Sequence, residues 1–116
     1  DEAILLNTRG EVAEAASSNV FLAINGALVT PSLEANILPG ITRSTVLRLA
    51  VEAGIPAQER VVRPEELGRA DEVFVTNSVA ELVPIRAIEG RTVGRGVPGE
   101  LTRRLHALYR ALPAAI

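Results

Sequence analysis

Lysine, cysteine and methionine are all absent from this 116-residue sequence. Without cysteine there is neither a disulfide framework nor a thiolate metal site, which is compatible with a reducing cytoplasm. All 12 basic residues are arginine, which matters for any reaction that needs a side-chain amine. Aromatic residues are scarce, so a strand phenylalanine such as Phe21 reads as a packing anchor. A net charge of -2 offers no basic field for nucleic acid. No apolar run approaches the roughly 20 residues that a membrane-spanning helix requires, and no signal-peptide pattern opens the chain. The sequence begins without methionine, inside what reads as a strand, so a fragment of a longer protein is expected.

The length suits one domain with a real core, and 47% hydrophobic residues suit a globular protein. A mean hydropathy of +0.24 points to an apolar face meant for a partner.

Two β-rich runs, Val20 to Ile24 and Ala27 to Thr30, flank Asn25-Gly26. That dipeptide between such runs predicts a two-residue hairpin turn with both central residues at positive φ. Upstream, Ala3 to Asn7 and Glu11 to Ala16 read as an antiparallel pair around a turn at 7–10. Downstream, a helix is expected from about Ile41 to Ala53, with Val46, Leu47, Leu49, Ala50 and Ala53 inward. Arg43, Arg48 and Glu52 fall on the opposite side. Gly54 and then Pro56 stop it. A strand follows over 57–62, then a short helical turn opening at Pro64. Asp71 to Asn77 is the most strand-like run, and Pro84 makes 82–88 an edge or irregular strand. The glycine-rich stretch 89–99, including Val97, lacks GxGxxG spacing and reads as turns. The last helix, about Glu100 to Leu112, carries Leu101, Leu105, Leu108 and Leu112 as one stripe, with His106 beside it as a surface residue. No His, Asp and Glu stand at metal-ligand spacing. These elements predict an α/β fold: a mixed, mostly antiparallel sheet curled partly round itself, with flanking helices.

The start of the first long helix carries chemistry. First-turn amides have no intrahelical partner and bear the positive end of the dipole. Gly40 lets another group approach that backbone, and Thr42 adds a hydroxyl, so Gly40, Ile41 and Thr42 make a ready phosphate site. The alternative is a plain junction with Thr42 as N-cap. Glu14 near a strand end could equally be a solvent-facing carboxylate, and Asn19 could support Glu14 or satisfy backbone at the Ser17-Ser18 turn.

Glu14, Asn19, Phe21, Leu28, Thr30, Leu38, Gly40 and Arg43 together stand at the spacing of the class IV aminotransferase signature. The sequence resembles the C-terminal domain of the fold-type IV pyridoxal-phosphate enzymes, from Asp1-Glu2-Ala3 to the last helix. That resemblance implies a sheet curled into a pseudo-barrel, a homodimer, a missing N-terminal domain and pyridoxal 5'-phosphate as cofactor. It gives Glu14 to the cofactor's pyridine nitrogen, keeping that nitrogen protonated. Asn19, Gly40, Ile41, Thr42 and Ser78 join Glu14 as cofactor-binding residues, and the amide of Val79 faces the carboxylate of a small-molecule substrate. The lysine that holds the cofactor as a Schiff base lies upstream, so the chain alone is expected to be inactive.

Within the family, Thr76-Asn77-Ser78 resembles 4-amino-4-deoxychorismate lyases, which release pyruvate and form 4-aminobenzoate for folate synthesis. Branched-chain aminotransferases resemble Gly-Thr-Ala at 77–79, and the lyase is the expected subclass over branched-chain or D-amino acid aminotransferases. A non-catalytic phosphate-binding module and a purely structural domain are the readings outside enzymes.

Overall fold

A computed structural model describes residues 3–16, 18–35, 37, 39–96 and 98–113. Asp1, Glu2, Ser17, Leu38 and Val97, named above, lie outside the described residues.

Asn25 (φ 50°) and Gly26 (φ 80°) make the expected tight turn between β3 (Asn19–Ile24) and β4 (Ala27–Pro31). From β4 the chain passes through a 3-10 turn, Leu33–Ala35, to helix α1 (Ile41–Glu52) and returns as β5 (Ala57–Arg60), parallel to β4. α1 ends in a Schellman closure. Gly54, at φ 74°, donates to Val51 O, and Ile55 N donates to Ala50 O at 2.8 Å. A short helix, α2 (Pro64–Arg69), leads to β6 (Glu72–Asn77), which pairs antiparallel with β3 and with the edge strand β7 (Glu81–Pro84). The strand order is β5-β4-β3-β6-β7, mixed and mostly antiparallel, as the sequence predicts. After Pro84 the chain forms a separate small ribbon, β8 (Ala87–Ile88) with β9 (Arg91–Thr92), and closes on α3 (Glu100–Arg110).

Among the described residues the sheet stays open at β5 and β7 and does not close into a barrel. The hairpin β1 (Ile4–Leu6) and β2 (Val12–Ala15) forms a separate two-stranded sheet that meets the main one. Val12 N donates to Val62 O just past β5, and Ala15 bridges to Ser18 just before β3.

Both sheet faces are covered, which is why β3 and β6 read as continuous apolar runs. Val20, Leu22, Val29, Val73 and Val75 pack with Val12, Ala15, Leu67 and Val93 on one face. Phe21, Leu28, Phe74 and Leu82 pack under α1 and α3 on the other, with Val46, Leu49, Ala50 and Leu105. Phe21 and Phe74 are direct cross-strand partners with ring centroids 5.1 Å apart, so Phe21 is the expected anchor.

Two side chains depart from the helical patterning. Arg43, expected on the outer side of α1, is 3% exposed, because its Nη2 reaches Pro31 O at 3.0 Å and Glu59 Oε1 at 2.7 Å. His106, expected at the surface, is half-buried, with Nε2 2.9 Å from Glu81 Oε1. Among the described residues no helix is long and apolar enough to cross a membrane.

Candidate functional site

The alternation of β3 sends Asn19 to the same face as Phe21, toward the start of α1. Its register partner is Thr76, near the end of β6. The end of β2, the start of β3, the start of α1 and the turn after β6 therefore meet at one place. They enclose a cleft of about 310 Å³. Glu14, Ala15 and Ala16 line it at the end of β2, Ser18 and Asn19 at the start of β3, Gly40, Ile41 and Thr42 at the start of α1, and Thr76, Asn77 and Ser78 at the end of β6 and just beyond.

Gly40 is the N-cap of α1 and makes no side-chain cap. Ser44 N makes the first helical bond, to Gly40 O, so the amides of Ile41 to Arg43 precede it. No acidic side chain occupies this first turn. Thr42 is buried inside the turn and is not the N-cap. Gly40 leaves no room for a larger residue, since a β-carbon there would overlap Asn19 Oδ1. Thr76 is 1% exposed, and its Oγ1 has no hydrogen-bond partner among the described residues.

Asn77 shapes the far wall. Its Oδ1 accepts from Val79 N at 3.0 Å and Ala80 N at 2.7 Å, while Nδ2 donates to Ser18 Oγ at 3.0 Å. This carboxamide fixes the turn that presents Ser78 and joins it to the start of β3. Val79, by contrast, is 92% exposed and is not part of the lining, and its amide is engaged by Asn77. Behind the turn, Glu81 has φ 65° and receives His106 and, at 3.5 Å, Arg110 Nε. The hydrogen bond from His106 holds the Glu81 carboxyl below the usual carboxylate range, and Arg110 adds to the effect.

The structure thus gathers Glu14, Asn19, Gly40, Ile41, Thr42 and Ser78 round one cleft and leaves Val79 at its rim. Thr76 and Asn77 are lining residues that the sequence reading used as a strand end and a subclass signal, without assigning them to the cofactor site. The available signal was two polar residues closing an otherwise apolar run.

The model of the family described as amino-transferase class IV matches residues 1–88. This chain belongs to the class IV aminotransferase family. A probable branched-chain-amino-acid aminotransferase of Synechocystis sp. is 43% identical over 112 residues, 97% of this chain and 36% of its own length. The branched-chain amino acid aminotransferase of Escherichia coli is 40% identical, and its structure superposes with a TM-score of 0.94 over 96% of this chain and 38% of that one. That of Thermobaculum terrenum, in its PLP form, is 43% identical with a TM-score of 0.92, over 95% of this chain and 36% of that one. The chain therefore spans little more than a third of the length of these relatives.

Proposed function

We propose that the protein carrying this chain is a pyridoxal-phosphate-dependent aminotransferase acting on branched-chain amino acids. The observation that carries it is the gathering of Glu14, Asn19, Gly40, Ile41, Thr42 and Ser78 at one cleft, in a chain whose relatives named above are branched-chain aminotransferases. This reading takes the place of the lyase expected from Thr76-Asn77-Ser78.

The lining fits a phosphorylated, nitrogen-bearing ring. Uncapped first-turn amides at Ile41 and Thr42, with no acid beside them, suit a phosphate. Ser78 adds a hydroxyl to the lining, and Thr76 Oγ1, without a hydrogen-bond partner among the described residues, is a further polar atom there. Glu14 stands at the β2 end, where a carboxylate would hold a proton on a pyridine nitrogen. Pyridoxal phosphate supplies, when bound, an electron-withdrawing ring for the pair left by a departing α-proton. The chain has no lysine, so the amine that anchors the cofactor comes from the remainder of the protein.

A second reading, 4-amino-4-deoxychorismate lyase, draws on Asn77. Its carboxamide already engages the Val79 amide, the donor that the resemblance gives to a substrate carboxylate. The full-length enzyme is expected to pass amine from leucine or valine to 2-oxoglutarate. Pyruvate released from aminodeoxychorismate with no keto acid present, and no transfer from leucine or valine, would establish the lyase instead. Activity confined to D-alanine as donor would establish a D-amino acid aminotransferase.

A further inference from the structure

A cation placed in the first turn of a helix lies at the wrong end of the dipole, where anions are favoured. Arg43 is the third residue of α1, and it is 3% exposed. A buried guanidinium is costly unless its charge and its donors are matched. The match here is incomplete. Nη2 donates to Pro31 O and pairs with Glu59, but the Glu59 side chain is 48% exposed and so is a well-solvated counter-charge. Arg43 Nε is buried with no hydrogen-bond partner among the described residues. No acid in the first turn offsets the positive end of the helix. The guanidinium faces β4 and β5 and lies outside the cleft lining, so the charge it lends the first-turn amides acts through the protein interior and not by contact.

Two features show that this placement is built into the site. Arg43 stands three residues after the N-cap Gly40, so its stem rises on the side of the helix that the N-cap occupies. The guanidinium end is tied to the last residue of β4 and to a side chain of β5, two strands that pair in parallel. The same side chain thus sets where the first turn sits and lends it charge.

We propose that Arg43 is a positioning residue for a phosphate dianion bound at Gly40 to Thr42. It anchors the first turn of α1 to β4 and β5, and it contributes a buried positive charge that the phosphate offsets. Glu59 tempers that charge while the phosphate site is vacant. The proposal rests on the phosphate-binding reading of the cleft given above.

The two roles of Arg43 make opposite demands on Glu59, which allows a test. In the full-length apoenzyme, dissociation constants for pyridoxal phosphate and for inorganic phosphate are measured at low ionic strength by fluorescence titration. Thermal melts are recorded alongside. Arg43→Met is expected to weaken both ligands by roughly tenfold, and Arg43→Lys to restore part of that loss by restoring the charge. Glu59→Gln is expected to tighten phosphate binding by roughly threefold while lowering the melting temperature, because it removes the tempering charge and the tether together. Weaker phosphate binding in Glu59→Gln would show that Arg43 serves only as a tether, overturning the proposal. Unchanged affinity in Arg43→Lys and Glu59→Gln would overturn it as well, even if Arg43→Met fails to fold. If the wild type binds neither ligand, the phosphate reading of the cleft falls, and this proposal with it. Wild-type binding with unresponsive variants removes this proposal alone.

Discussion

Asn19 Oδ1 occupies the space that a β-carbon on residue 40 would need. The first residue of β3 and the N-cap of α1 are therefore in contact through a side chain that only glycine admits. Because both residues line the cleft, the packing of the fold and the shape of the site are one constraint.

Gly40→Ala is expected to push Asn19 or the start of α1 aside, at a cost of about 1–3 kcal/mol, as for other overpacked sites. The displaced amides should bind pyridoxal phosphate roughly tenfold more weakly, since a misplaced donor loses most of a charge-assisted bond. Adding Asn19→Ala to Gly40→Ala should recover part of the stability, a coupling that a double-mutant cycle reads directly. Additive losses would mean that the two side chains do not compete for the same space.

Glu72 stabilises the far end of the fold. Its carboxylate accepts from Leu101 N at 3.0 Å, Thr102 N at 2.8 Å and Thr102 Oγ1 at 2.6 Å, capping α3 from the neighbouring strand. Gly99 is the residue that leaves room for it, since a β-carbon there would overlap the Glu72 side chain. Glu72→Ala should destabilise by about 2 kcal/mol, the loss of a charged N-terminal cap. Urea unfolding measures this, and a change within a few tenths of a kcal/mol would mean that α3 is held by its leucines alone.

Glu66 links pH to stability. Arg60 grips its carboxylate with Nη1 at 3.1 Å and Nη2 at 2.7 Å, and the Arg63 amide adds a third bond. The Arg60 hydrogen bonds, and then the Arg63 amide, hold the Glu66 carboxyl below its ordinary range. A lowered folded value means that the unfolded chain takes up the proton first as pH falls. The contribution is therefore complete above the ordinary glutamate value, near pH 4.3, and is lost as pH drops through the lower folded value. Glu66→Gln should be less stable than wild type at pH 7, with the gap narrowing below about pH 4. A gap of constant size from pH 7 to pH 3 would contradict this assignment.

The parts of the fold that sequence made legible are those decided by local geometry. Asn25-Gly26 dictates its turn through φ, Gly54 dictates the end of α1, and the apolar runs of β3 and β6 announce a sheet covered on both faces. Arg43 was illegible because helical periodicity sends a charge outward, while its burial depends on Glu59, far along the chain. His106 was missed for the same reason, its partner Glu81 lying on another element. Glu14, Asn19, Gly40, Ile41, Thr42 and Ser78 were brought together on paper by a resemblance in spacing. No periodicity could show that four separate chain ends converge. The occupation of the Val79 amide by Asn77 depends on turn geometry that residues 77–79 alone do not specify.

Glu14 tests the cleft most directly. It lies on β2 opposite Leu5, half-buried, and lines the cleft together with Ser78. A glutamine there keeps the shape and hydrogen-bonding reach of the side chain but not its charge. If Glu14 holds a proton on the pyridine nitrogen, the variant should bind pyridoxal phosphate nearly as well as wild type, because the phosphate contacts at α1 are untouched. Removal of the substrate's α-proton should slow by roughly 10²-fold or more, since an ionic partner to the ring is worth a few kcal/mol. The measurement pairs cofactor content by absorbance with the deuterium isotope effect on turnover of α-deuterated leucine. A full cofactor complement, a fallen turnover and a raised isotope effect are expected together. Wild-type turnover in Glu14→Gln would reduce Glu14 to a wall of the cleft. Lost cofactor with unaltered turnover per bound cofactor would make it a binding residue without influence on the proton.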